Sequence, residues 1–308
     1  MRIFVTGATG AIGVPVVSAL AAAGHAVTAL VRTPDKAARA AAAGATPVTV
    51  SLFDRAGLCD AFAAHDAVVN LASALPSTFM FPFYRSWREC ARIRSEGSAA
   101  VVDAACAANV TVLVQESVSM IYRDGGSRWL DESAPVEYYR ISAGNHAAEA
   151  SARRFTEAGG TGIVLRFGLF HGPTATHSLE MLRAARSGVA PMFGSPDAYI
   201  SSIHLDDAAA AVVSVLTAPA GVYNAVDDEP LTHRDYADAL AIAVGQRRYV
   251  RIPGRAALLC GDRLTSLTRS LRVSNARLRE TGWTPQYLSA REGLAATWTR
   301  RESTTSPA

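Results

Sequence analysis

Residues 2–13 read RIFVTGATGAIG: a short apolar run that ends in the evenly spaced glycines Gly7, Gly10 and Gly13. The run predicts a buried strand, and the glycines predict a tight turn that opens a helix. Glycine lets a backbone turn sharply and come close to an anion, and the free N–H groups of a helix start point at that anion. In strand–turn–helix order this is the pattern of a pyrophosphate cradle for a dinucleotide. Gly7, Thr9, Gly10, Ala11, Ile12 and Gly13 are the residues expected to form it.

Beyond the turn, short apolar runs alternate with alanine-rich helical stretches, which predicts an α/β fold with a doubly wound parallel Rossmann sheet. Strands are expected at 2–6, 26–31, 47–50, 67–71, 111–115 and 162–166, and helices at 11–23, 36–43, 54–64, 87–108 and 142–158. After His171-Gly172-Pro173 the alternation weakens, so a smaller, interleaved C-terminal substrate domain is placed at 171–204 and 227–302. The cofactor domain takes 1–170, with 205–226 returning to it as a helix and a strand. The polar stretch 303–308 is expected to be a disordered tail.

The second strand runs out at Leu30-Val31-Arg32-Thr33. An enzyme selecting NAD places an acid near this point for the ribose hydroxyls, whereas an arginine pairs with the 2′-phosphate of NADP. Arg32 therefore points to NADP(H), against the plainer reading of a solvated loop arginine. Of 30 basic residues only Lys36 is a lysine, so any chemistry that needs a later lysine is excluded. The low lysine and high alanine content indicate a GC-rich coding bias such as that of actinobacteria. The net charge of +3 is scattered, with no basic stripe for nucleic acid or membrane. A small-molecule partner is expected, with monomer and homodimer both open. Cys59, Cys90, Cys106 and Cys260 have no metal-ligand spacing, so no metal is expected and the thiols read as reduced. No apolar run reaches ~18 residues and the first strand starts at once, so a cytoplasmic protein is expected.

The TGATGAIG turn, Asn70-Leu71-Ala72, Leu165-Arg166-Phe167-Gly168, His171-Gly172-Pro173, Ile203-His204-Leu205-Asp206-Asp207 and Val222-Tyr223-Asn224 occur in one order along the chain. In that order the chain resembles the extended and atypical branches of the short-chain dehydrogenase/reductase family. The resemblance implies that Asn70, Leu71 and Ala72 line the adenosine side of the cofactor and that Gly168 and Leu169 lie near the nicotinamide. The family's adenine-binding acid falls at Ser51, so adenine contact is expected from Ser51 and Leu52, while Asp54 caps the next helix.

The family's chemistry rests on Tyr-x-x-x-Lys followed by a glutamate. With Glu149 as that glutamate, Ile141 and Asn145 stand where the tyrosine and lysine belong. The family's helix asparagine aligns with Arg94. Reducing a ketone builds charge on oxygen that needs a donor or an aimed dipole, and an unassisted phenol titrates near ~10. Ser117, Tyr122 and His204 are the candidate catalytic groups, with Tyr139 and His146 behind them; each also reads as a hydrogen-bonded structural residue.

Ser77–Trp87 packs Phe79, Phe81, Phe83, Tyr84 and Trp87 together just after the fourth strand. Ser73, Phe79, Phe81, Tyr84 and Tyr139 are expected to face a flat apolar substrate, although the cluster reads equally as core or dimer packing. Leu271–Asn275 resembles the family's substrate loop, or else is a helix cap at Ser274. These readings imply an oxidoreductase of secondary metabolism, a ketoreductase tailoring an aromatic, polyketide-like antibiotic precursor with help from the substrate itself. The competing expectation is a non-catalytic NADP(H)-binding regulator or redox sensor.

Overall fold

The structure is a computed structural model that describes residues 1–190, 194–251, 261 and 263–305. Cys260 lies outside them. One sheet carries the fold: β1 (Arg2–Thr6), β2 (Ala26–Leu30), β3 (Ala45–Val48), β4 (Ala67–Asn70), β5 (Val112–Val118), β6 (Thr161–Phe167) and β7 (Gly221–Ala225). Its strands are all parallel, in the order β7-β6-β5-β4-β1-β2-β3. The order reverses between β1 and β4, which leaves a crevice beyond their carboxyl ends.

Alternation along β1 shows why the sheet is covered on both faces. Ile3 and Val5 point to one side, against Val16, Val17 and Leu20 of α1 (Gly13–Ala22), while Phe4 points to the other, against Leu58 and Phe62 of α3 (Arg55–Phe62). Between these helices α2 (Pro34–Ala42) starts at a Thr33 cap, whose Oγ1 accepts from Lys36 N. Asp54 caps α3 as expected, accepting from Gly57 N at 3.1 Å.

Several boundaries differ from the sequence reading. The third strand starts at Ala45 and carries Pro47 on the sheet edge, where a missing N–H is tolerated. The single helix expected at 87–108 is α4 (Arg88–Arg92), a π turn over Ile93–Gly97, and α5 (Ser98–Ala107). The wide turn brings Ile93, Arg94 and Gly97 inward together, with Gly97 against Leu52. α6 (Ala143–Glu157) packs beside α5 and β5.

In the C-terminal part, α7 (Thr176–Arg186), α9 (His233–Ala243) and α10 (Ala290–Thr305) share a core of Leu182, Tyr236, Leu240, Leu294 and Trp298. Ser303–Thr305, expected to be disordered, continue α10, and Ser303 Oγ donates to Arg300 O. Residues 306–308 lie outside the described ones. α8 (Leu205–Ser214) lies against α1 and is tied to the C-terminal segment by Asp207, whose carboxylate accepts from Gln286 N and Tyr287 N.

His204 caps α8, its Nδ1 accepting from Asp206 N at 3.2 Å, and its ring lies against His171 and Tyr287. Burial pushes its imidazole down to about 4, against the pull of the Asp206 carboxylate. A lowered folded-state value means that the unfolded chain takes the proton first. His204 therefore adds stability that is complete above the ordinary histidine value near 6.5 and is lost as pH falls toward about 4. Urea unfolding at about pH 7 and about pH 4.5 is expected to show a loss of roughly 3 kcal/mol from this residue. His204→Asn, which keeps a capping side chain, should remove most of that loss. An unchanged pH slope in the variant would assign the acid sensitivity to other buried groups.

Candidate functional site

At the switch point the carboxyl ends of the strands open into a cavity of about 670 Å³. Its floor is the glycine turn, with Thr6, Gly7, Thr9, Gly10, Ala11 and Ile12 on the wall. Gly7 holds φ +67°, and a Cβ there would stand 2.4 Å from Leu71 O. A Cβ at Gly13 would stand 2.1 Å from Gly7 O, so Gly13 serves the packing of α1 on the turn rather than the cavity wall. The turn is thus a cradle that only glycine fits, at the start of a helix, which suits a pyrophosphate.

On one side, beyond β2 and β3, the wall is Arg32, Lys36, Ser51, Leu52 and Phe53. Ser51 Oγ accepts from Phe53 N, and the Arg92 guanidinium lies over the Phe53 ring at 4.1 Å. The other side holds Leu71, Ala72 and Ser73 beyond β4, Glu116 near the carboxyl end of β5, and Phe170 beyond β6. Asn70 is buried below the wall, where it ties three strands: its Oδ1 accepts from Thr6 Oγ1 and its Nδ2 donates to Gln115 Oε1 at 2.8 Å. Gly168 and Leu169 also stay off the wall. Gly168 packs against Ser201, and it is Phe170 that reaches the cavity.

None of the candidate proton donors lines the cavity. Ser117 Oγ donates to Glu149 Oε1 at 2.7 Å, and Glu149 takes the Arg166 guanidinium with Nε at 2.9 Å and Nη2 at 2.8 Å. Arg166 in turn lies over the Tyr122 ring, and Tyr122 Oη donates to Asn224 Oδ1 at 2.8 Å. These residues form a buried polar spine through β5, α6, β6 and β7. Burial pushes the Tyr122 phenol up to about 12, with Arg166 pulling it down. Burial likewise pushes Tyr139 up to about 12; its Oη donates to Met120 O at 3.0 Å. His146 Nε2 is 3.1 Å from Glu137 O and its ring stacks on Tyr138.

Of the aromatic run, Phe79 is 84% exposed and Phe83 51%, whereas Trp87 is buried, with Nε1 donating to Phe81 O at 2.8 Å. Tyr84 sits under Arg140 and Arg263, with their guanidinium carbons 4.4 and 5.8 Å from its ring centre. The Leu271–Asn275 segment is a short strand, Arg272–Val273, beside Trp129–Leu130, and Ser274 Oγ accepts from Ala276 N.

Among the wall side chains that sequence reasoning missed are Lys36, Glu89, Glu116 and Phe170. The signals were present in a lone lysine just after Thr33-Pro34 and in a polar triple, Gln115-Glu116-Ser117, that ends an apolar strand. Glu116 Oε1 accepts from Arg94 Nη2 at 2.6 Å, and Arg94 Nη1 donates to Asn145 Oδ1 at 3.1 Å. Burial pushes the Glu116 carboxyl up, against the pull of Arg94.

A family model described as NAD(P)H-binding matches residues 7–219. This chain belongs to that NAD(P)H-binding family. It is an atypical member of the extended short-chain dehydrogenase/reductases, as the sequence order of its motifs implied. A Streptomyces protein, "3-diazoavenalumate denitrifying reductase", is 33% identical over 96% of this chain and 99% of its own length. A Stigmatella aurantiaca quinoline-oxide ketoreductase is 34% identical, over 53% of this chain and 47% of its own length. Among solved structures, human epimerase family protein SDR39U1 with NADPH has TM-score 0.77 and 24% identity, covering 97% of this chain and 99% of that one. That likeness shows the shared fold. Among the described residues no cluster of ligand side chains for a metal ion occurs, and no helix is long and apolar enough to cross a membrane.

Proposed function

We propose that this protein is an NADPH-dependent reductase that passes hydride to an aromatic small molecule whose acceptor needs no proton from the protein. The observation that carries the reading is the cavity wall: it offers hydroxyls, two cations and carboxylates, but no phenol or imidazole. Arg32 and Lys36 supply the positive charge for a 2′-phosphate, the glycine turn holds the pyrophosphate, and nicotinamide C4 supplies the hydride when the cofactor is bound. Positioning then does most of the work, since holding donor and acceptor at about 3–3.5 Å removes much of the entropic barrier.

An arene diazonium ion meets these requirements. Hydride bonds to the ring carbon as the C–N pair leaves with dinitrogen, so the cation becomes a neutral arene without any proton. The full-length relative, named for reductive loss of nitrogen from a diazo acid, supports this acceptor. A ketone hydrogen-bonded to its own neighbouring phenol is the second acceptor that fits, and the partial relative named a ketoreductase favours it.

The test is turnover with deuterated NADPH, on a diazotised hydroxyaryl acid and on an ortho-hydroxyaryl ketone, followed by mass spectrometry. A nitrogen-free arene carrying one deuterium is the expected product, and a deuterated alcohol would select the second acceptor. Tight NADPH binding with no turnover of either class would sink the enzyme reading in favour of a regulator.

The exposed Phe79 and Phe83 also give a mobile-cover prediction. Apolar rings facing water gain burial only when something fills the site, so this segment is expected to close on substrate. Amide exchange through residues 77–87 should slow on adding NADP+ and product. Equal exchange with and without ligand would rule out a cover.

A further inference from the structure

The cavity wall contains an ion pair that the hydride reading leaves unused. Glu116 on β5 is 4% exposed and lines the cavity, and its Oε2 has no hydrogen-bond partner among the described residues. Its other oxygen is held at 2.6 Å by Arg94, which is 3% exposed, does not line the cavity, and is itself braced by Asn145. The pair is therefore a fixed dipole with its negative end at the cavity and its positive end behind the wall.

An orphaned carboxylate oxygen in a buried site is costly, and the fold gains nothing visible from it. Its place gives it a use. Arg32, Ser51 and Phe53 lie beyond β2 and β3, while Glu116, near the carboxyl end of β5, and Phe170, beyond β6, lie on the opposite side of the switch point. A dinucleotide lies across that point with its two halves on either side. Glu116 is thus at the end away from the Arg32 pocket, where the nicotinamide half belongs.

We infer that Glu116, positioned by Arg94, selectively stabilises the cationic oxidised nicotinamide over the neutral reduced ring, and so favours release of hydride from this site. A preorganised negative charge in a site shielded from water acts more strongly on a developing positive charge than it does in bulk solvent. The inference rests on the dinucleotide reading of the cavity and is independent of which substrate accepts the hydride.

The experiment compares dissociation constants for NADP+ and NADPH by titration calorimetry on the full-length protein. In Glu116→Gln, which exposes the ring to an uncompensated Arg94, the NADP+ to NADPH ratio is expected to rise about tenfold. In the double variant Arg94→Gln with Glu116→Gln both charges are gone, and the ratio should rise by a smaller amount. Because a buried arginine without its partner can prevent folding, the double variant decides if the single one fails. A ratio within about twofold of wild type in the folded variants would make the pair purely structural and overturn the inference. If wild-type protein binds neither form, the cofactor reading fails and takes this inference with it.

Discussion

Replacing Arg32 and Lys36 together by alanine is expected to weaken NADPH binding by about two orders of magnitude or more and to leave NADH almost untouched. Arg32 lies two residues beyond the end of β2, and Lys36 sits in the first turn of α2; both reach the cavity beside Ser51 and Leu52. A positive charge in the first turn opposes the helix dipole, so Lys36 is poorly placed for helix stability and well placed for an anion. Each charge-assisted contact to a phosphate contributes roughly 1.5–3 kcal/mol, or about tenfold to a hundredfold in affinity. The two cations share one phosphate, so the single variants should each lose about tenfold and should not add strictly. Calorimetry with NADPH and NADH on the three variants measures this directly. If all three keep the wild-type preference, neither cation touches the 2′-phosphate and cofactor choice is set elsewhere.

The sheet was legible because its information is local. Alternating Ile3, Phe4 and Val5 name the two cores that flank the sheet, and the spaced glycines mark the turn without any knowledge of distant residues. The cavity's glycine floor followed from the same local pattern, whereas Ser51, Leu52, Leu71 and Ala72 followed from the family resemblance. What escaped was set by long-range pairing. Tyr122 reads as an available phenol until Asn224, 102 residues later, is seen to accept from it. Arg94 and Glu116 stand 22 residues apart, on a π turn and a strand, and no periodicity foretells that they meet. The π turn itself has no signature in a helical pattern that continues across it. Lys36 was visible as the lone lysine, yet only the packing of α2 beside β3 turns it toward the cavity.

Two buried ion pairs, Arg94 with Glu116 and Arg166 with Glu149, lie around α6, where the family resemblance puts Ile141 and Asn145 at the tyrosine and lysine positions. The first borders the cavity and the second does not. Substitutions in either pair should therefore affect folding, and those in the first should in addition change cofactor redox preference.

Glu149→Gln is accordingly expected to destabilise the protein by about 3–5 kcal/mol. Glu149 is 2% exposed and accepts three hydrogen bonds, from Ser117 Oγ, Arg166 Nε and Arg166 Nη2. An amide in its place presents one acceptor oxygen and turns an NH2 group toward a guanidinium that already has a buried nitrogen, Nη1, without a partner. Arg166 cannot discard its proton, so its charge would remain buried and unanswered. Ser117→Ala removes a single neutral donor and should cost only about 1 kcal/mol. Replacing both charges, Glu149→Leu with Arg166→Met, removes the desolvation penalty along with the attraction and should recover much of the loss. Urea unfolding of the four proteins at one pH orders these effects. A double variant less stable than Glu149→Gln would mean that the ion pair itself stabilises the fold, beyond merely neutralising charges that burial has made expensive.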